Sequence, residues 1–320
     1  MTVHSDFLRL DIDPDELAAA VARALGRRYR LAPLSVKCTY PVFRGEADGA
    51  SAVFVKVGTE DEWRRTANLL RDVGACGLFA RFQTEESIVF QGHAVFVTEW
   101  KDTAVVRPEE MNERQQANFV DGCVRMSAAL QRAKDFTPVQ GSAIDPERLY
   151  DVLTRYVRRH PLAGRLLADL LAIPVAQRTF GTRPLSVIHG DFHSKNFGFV
   201  GDELSSVFDF DQLTQGLACG DLANALVERF SCLGLPAAAR RRLREVTRRI
   251  VAQAPWPRED FVVTCNILRL RFAARRIEKH PGSAWVALDV LRRDRRIREF
   301  LSCLVPAGAD AQHSAGPKMV

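Results

Sequence analysis

The sequence predicts an α+β protein in which a small antiparallel sheet lobe precedes a larger, mainly helical lobe. Three observations carry that prediction. Between residues 34 and 57, short runs rich in Val, Phe, Thr and Tyr are separated by turn residues, the pattern of a meander. One helical segment then precedes a second pair of such runs, so the order is strand, strand, strand, helix, strand, strand. From residue 102 the apolar spacing is helical almost throughout, apart from a turn-rich centre near 183–211.

The elements can be justified in turn. Pro14 to Leu31 (PDELAAAVARALGRRYRL) carries apolar positions at helical spacing behind Asp13, a capping residue, and predicts a first helix. Leu34–Tyr40, Val42–Ala47 and Ala52–Val57 read as strands, the last two joined through the hairpin signal Asp48-Gly49. Glu60–Val73 reads as a helix stopped at Gly74, and Glu86–Phe90 and His93–Glu99 as two further strands. The polar connector Glu99–Thr103 places the boundary between a lobe of residues 1–101 and a lobe of residues 102–305. The second lobe reads as helices over Glu109–Lys134, Pro146–Arg159, Leu162–Thr179, Asp221–Phe230, Pro236–Ala254, Glu259–Lys279 and Ser283–Leu304. Residues 306–320, small and polar, are expected to form a disordered tail.

Composition narrows the function. The seven cysteines are scattered, with no C-x-x-C pair, which argues against a zinc ribbon or a disulfide scaffold. No run approaches the roughly 20 apolar residues of a membrane helix, and the first residues are acidic rather than signal-like, so a cytoplasmic protein without a membrane partner is expected. The net charge of +6 is unevenly placed: residues 225–300 carry 18 Arg and Lys against 8 Asp and Glu, leaving the rest of the chain net negative. With no aromatic interleaving or recognition module beside that charge, no nucleic-acid partner is expected.

The chemistry concentrates in LSVIHGDFHSKNFGFVGDELSSVFDFDQLTQGLACGDL, residues 185–222. Two apolar runs, LSVI and SSVF, each end in acidic residues: Asp191 after the first, Asn196 five residues on, and Asp209 after the second. Oxygen-bearing side chains of this kind suit Mg²⁺, which prefers hard ligands and keeps waters and phosphate oxygens in its shell. A further carboxylate outside that shell can orient a hydroxyl.

H-G-D-x-H-x-x-N followed by a hydrophobic-D-F-D segment resembles the aminoglycoside phosphotransferase and choline kinase family, relatives of the protein kinases. The resemblance implies a two-lobed protein-kinase-like fold, ATP and Mg²⁺ as cofactors, and transfer of the γ-phosphoryl group to a small-molecule hydroxyl. It implies Asp191 as the base or orienting carboxylate, Asn196 and Asp209 as metal ligands, His189 and His193 as supports of the catalytic loop, and Asp221 as its acidic brace. A kinase also needs a strand lysine on the α- and β-phosphates, which points to Lys56, and an acidic helix partner, Glu62 with Glu60 as the alternative. The loop Lys37–Val42 has no glycine, a departure from Gly-rich nucleotide loops, and leaves phosphate contact to Thr39 or to backbone amides. Adenine is expected between Val42 and Val53 above Phe197 and Phe208, its edge read by backbone groups of Glu99, Trp100 and Lys101.

The acceptor is expected in the arginine-rich helical lobe, where positive charge disfavours a polycationic aminoglycoside relative to a sugar or amino-alcohol acceptor. Arg269, Arg271, Arg275 and Arg276 lie on a more apolar helix than the other arginine runs and are the candidates to face the cleft. The alternatives are a catalytically silent nucleotide-binding protein and an aminoglycoside-modifying kinase.

Overall fold

The computed structural model describes residues 12–34, 40–73, 76–133 and 144–304. Thr39 and the rest of residues 37–39 of the loop at 37–42, most of the expected strand Leu34–Tyr40, and the tail 306–320 lie outside the described residues. Helix α1 (Pro14–Leu25) starts on the Asp13 side chain, which accepts from the Asp15 amide at 2.8 Å, and ends at Gly26, whose φ of 65° suits a residue without Cβ. It is shorter than the sequence predicts. Arg30–Pro33, inside or beside the expected helix, instead forms β1 and pairs antiparallel with Phe43–Glu46 of β2 (Val42–Glu46). Gly26 stops the helix, and strand pairing overrides helical spacing beyond it.

β3 (Val53–Gly58), β4 (Ile88–Phe90) and β5 (His93–Glu99) complete a five-stranded antiparallel sheet of order β1-β2-β3-β5-β4. Alternation decides its faces: Val53, Val55, Val57, Val95 and Val97 point into one core with Leu17 and Val21 of α1. The side chains between them, Lys56 among these, face the other way. Helix α2 (Glu60–Val73) packs Trp63 and Ala67 against Ala94 and Phe96 on that second face.

The remainder is mainly helical: α3 (Glu113–Leu130), α4 (Pro146–Arg159), α5 (Pro161–Leu166), α6 (Ala168–Leu171), α7 (Val175–Arg178), α8 (Gly220–Ser231), α9 (Ala237–Gln253), α10 (Arg258–Lys279) and α11 (Val286–Leu304). The helix expected over 162–179 is three short ones, because Pro174 has no amide hydrogen to continue it and the chain turns at Leu167. Inserted among the helices are four short strands, β6 (Ser186–Ile188), β7 (Phe197–Val200), β8 (Glu203–Val207) and β9 (Thr214–Gly216). β6 pairs with β9 and β7 with β8, so the second hairpin is carried inside the first. One apolar core runs from α3 through Phe192, Phe197 and Phe199 to α8, α10 and α11. No helix among the described residues is long and apolar enough to cross a membrane.

Candidate active site

The nested hairpins decide which side chains meet. β6 leads directly into His189-Gly190-Asp191, and β8 leads into Phe208-Asp209, so the two acidic segments leave neighbouring strand ends. The Phe208 amide donates to Asn196 O at 2.9 Å, and His189 Nε2 lies 2.6 Å from Phe208 O. Because Nδ1 of His189 accepts from the Asp191 amide at 3.4 Å, the ring carries its proton on Nε2 and donates to that carbonyl. A single buried imidazole therefore ties the Asp191 turn to the Asp209 turn.

Asp221, at the start of α8, fixes the same turn from below. Its Oδ2 accepts from the His189 amide at 2.8 Å and its Oδ1 from the Gly190 amide at 3.0 Å. Burial pushes this carboxyl up, with His189, the two amides and Arg271 acting in the opposite direction. Gly190 itself has φ of 76°, and a Cβ there would stand 2.2 Å from Gln212 O, so only glycine fits. One turn along α8, Asn224 donates to Phe192 O at 3.2 Å. From the opposite side, buried Arg271 of α10 donates to Gly190 O at 2.6 Å. Burial, with the charge of Arg275 beside it, holds the Arg271 guanidinium down to about 10.

Asp191 thus sits on a turn whose backbone is held at three successive residues. Its Oδ2 lies 3.5 Å from His193 Nε2, while the Lys195 amide donates to His193 Nδ1 at 3.2 Å. Burial alone raises the Asp191 carboxyl, but the hydrogen bond and charge of His193, with Arg275 and Arg271, outweigh it and hold the group below the usual carboxylate value. His193 is raised in turn, first by that hydrogen bond, with burial opposing.

Asn196 donates through Nδ2 to Asp191 O at 2.9 Å, which leaves its amide oxygen for another partner. Asp209 has left-handed backbone (φ 60°, ψ 71°), uncommon for a residue other than glycine, and its carboxylate is half-exposed. One amide oxygen and one open carboxylate form a hard-oxygen donor pair that fits a divalent cation completed by phosphate oxygens and water. Among the described residues no cluster of three or more His, Cys, Asp or Glu is spaced to hold a metal alone.

Lys56, on β3, reaches across from the sheet to within 3.9 Å of Asp209 Oδ1, its ammonium also lying over the rings of Tyr40 and Phe96. Glu62 stands differently. Its Oε2 accepts from both the amide and the hydroxyl of Thr59, while the Glu62 amide donates to Thr59 Oγ1, closing a capping box at the start of α2. Glu60 accepts from Ser87 at 2.7 Å and pairs with Arg64. The T-E-D-E spelling of 59–62 is a capping-box signature and was the available sign that Glu62 has this second task.

In the connector, the Glu99 amide donates to Arg81 O and the Trp100 amide to Ala52 O, continuing the sheet. The Trp100 indole donates to Asp102 and is covered by Arg44. Lys101 turns inward, donating to Gly77 O and Ser205 O at 3.2 Å each, so this side chain joins the connector to β8. Of the expected adenine surface, Phe208 is half-buried, whereas Phe197 is fully buried between Phe119 and Phe192 in the helical core.

The four α10 arginines expected to face the cleft are placed differently. Arg269 forms a buried bidentate pair with Asp294, Arg276 pairs with Asp289, Arg271 holds Gly190, and Arg275 is exposed beside Asp191. The bracing by Asn224 depends on a tertiary contact that spacing does not display.

Solved structures share this fold at low identity. The amicoumacin kinase hAmiN, solved in complex with AMP-PNP, Ca²⁺ and Ami, aligns with a TM-score of 0.56 at 13% identity, covering 92% of this chain and 96% of its own. The ADP-bound aminoglycoside phosphotransferase APH(2'')-Ib aligns with 0.57 at 13%, covering 89% and 98%. A choline/ethanolamine kinase family protein from Mesorhizobium loti aligns with 0.54 at 18%, covering 91% and 98%. The two-lobed kinase-like fold expected from the sequence is therefore the fold of this chain. None of the curated proteins matches it in sequence. Residues 42–262, more than two thirds of its length, match the model of the phosphotransferase enzyme family, and the chain belongs to that family.

Proposed function

We propose that this protein binds ATP with Mg²⁺ between its sheet and its catalytic loop and transfers the γ-phosphoryl group to a hydroxyl of a small molecule, of sugar or amino-alcohol type rather than a polycationic aminoglycoside. The observation that carries the reading is the approach of Lys56 to Asp209 across the two lobes, at the same strand ends that hold Asp191 and Asn196. Lys56 supplies a cation for the α- and β-phosphates, and the Lys101 amide, with no partner among the described residues, is left to meet the base edge. Asn196 and Asp209 would hold the cation, which would supply positive charge to neutralise the phosphate oxygens.

The protein's own groups do the remainder. Asp191, ionised and steadied by His193, accepts a hydrogen bond from the acceptor hydroxyl and aims its oxygen at the γ-phosphorus. The new O–P bond forms as the bond to the bridging β-oxygen breaks, ADP leaves with that electron pair, and the hydroxyl proton passes to Asp191. A carboxylate held below its usual value is a weak base, so Asp191 contributes mainly by orientation and takes the proton late.

The test is ADP release from Mg-ATP with a panel of sugars, amino alcohols and aminoglycosides, with nucleotide binding followed in parallel. Acceptor-dependent release that falls by about a hundredfold or more in Asp191→Asn, with ATP affinity retained, is expected. Asp209→Asn is expected to remove the Mg²⁺-dependent part of nucleotide affinity. Wild-type turnover in Asp191→Asn would overturn the assignment.

A further inference from the structure

We propose that Arg275 is the specificity-determining residue of the acceptor site, and that the phosphorylated molecule carries an anionic group, a carboxylate or a phosphate, a few bonds from its reactive hydroxyl. This rests on the kinase reading above and narrows its substrate class, setting aside amino alcohols that carry no anionic group.

The argument begins with helical geometry. Arg271 and Arg275 are four residues apart on α10 and so share one face, about 6 Å from each other at the level of Cβ. Arg271 touches Gly190 O, which places that face against the catalytic turn. Arg271 is buried and committed to that carbonyl, whereas Arg275, one turn further along, is exposed. Among the described residues Arg275 has no hydrogen bond or ion pair. Its neighbours differ in this respect: Arg269 has Asp294, Arg276 and Arg293 share Asp289, and Arg298 has Asp169 and Asp294. A surface arginine one helical turn from the contact with Gly190, and without its own carboxylate, is placed to receive one from outside.

The groups around it agree. Lys195, on the catalytic loop itself, is exposed. Of the acidic groups of α8, Asp221 holds two backbone amides and Glu228 is half-buried, with Oε2 enclosed. An ammonium next to the reactive hydroxyl would therefore meet Arg275 with no exposed carboxylate from α8 to balance it. The nucleotide's charge is met from the opposite side, by Lys56 on the sheet, while α10 packs on α4, α7, α8 and α11. A planar guanidinium also suits bidentate capture of a carboxylate or phosphate better than an ammonium would.

The test uses the full chain saturated with Mg-ADP and titrated calorimetrically, at fixed ionic strength, with four probes sharing a glycerol skeleton: glycerate, glycerol 3-phosphate, glycerol and 3-amino-1,2-propanediol. Glycerate or glycerol 3-phosphate is expected to bind at least tenfold more tightly than glycerol, and whichever binds more tightly identifies the anion. Arg275→Gln should reduce that preference at least fivefold, and Arg275→Lys should restore part of it, with Mg-ADP affinity unchanged in both. Anions that bind no better than glycerol, or an Arg275→Gln protein with the wild-type preference, would overturn the inference while leaving the kinase reading standing. Failure to bind Mg-ADP at all would instead remove the kinase reading, and this inference with it.

Discussion

Asp221 offers a sharp test of how the catalytic turn is held, since both of its oxygens are engaged with backbone amides in a fully buried position. Asp221→Ala removes both acceptors and leaves the His189 and Gly190 amides without partners. An unsatisfied buried donor costs about 1–3 kcal/mol, so the pair should cost roughly 2–6 kcal/mol of stability. Asp221→Asn keeps one oxygen, sets its NH₂ against the other amide, and also removes a carboxylate that burial disfavours. Its cost should be about half as large or less. The pH dependence adds a second check. Burial raises the Asp221 carboxyl above its unfolded value of about 3.9, so the folded state holds that proton more tightly. Its contribution to stability therefore declines as pH rises above that value, and the deficit of Asp221→Asn relative to wild type should shrink as pH rises from about 4 toward neutrality. Equilibrium urea unfolding of the three proteins across that range measures all of this. An Asp221→Ala protein within 1 kcal/mol of wild type, or one more stable than Asp221→Asn, would refute the account.

Two further outcomes follow from the same geometry. Gly190→Ala is expected to lose phosphoryl transfer and at least about 2 kcal/mol of stability, because the new methyl would overlap Gln212 O at a positive φ; activity assay and urea unfolding together check it. Arg269→Ala should cost about 3–5 kcal/mol by leaving Asp294 buried with only its longer contact to Arg298, whereas Arg269→Met combined with Asp294→Leu should recover most of that loss in thermal melts.

Much of the fold was legible because the apolar pattern and the turn chemistry agreed. The limits of α4 match the expected ones at both ends, since Asp145 caps it and Pro161 opens the next helix. β5 matches likewise, and the Asp48-Gly49 turn stands where expected, with Gly49 at φ of 65°. The failures have local causes. Helical spacing continues past Gly26, but the residues beyond it pair with β2, a tertiary preference that spacing does not record. The interruption at Pro174 was visible in the sequence and outweighed by the apolar residues around it.

The site was legible to the extent that its geometry is local. Asp191 and Asn196 lie five residues apart on one turn, and Asp209 follows a hairpin whose length is set by its own strands, so their convergence depends on short-range structure. The arginines are the opposite case. In sequence Arg269, Arg271, Arg275 and Arg276 are four similar cations on one helix, and their net charge suggests a single basic surface. In the fold, residues from 190 to 294 divide them among a buried ion pair, a carbonyl brace, a surface pair and one exposed group a turn from that brace. Their summed charge therefore says little about the acceptor, because paired arginines present almost no field beyond their partners. In the proposed acceptor site the electrostatic character depends on which of these four is left over, and that is the one a turn away from the contact with Gly190.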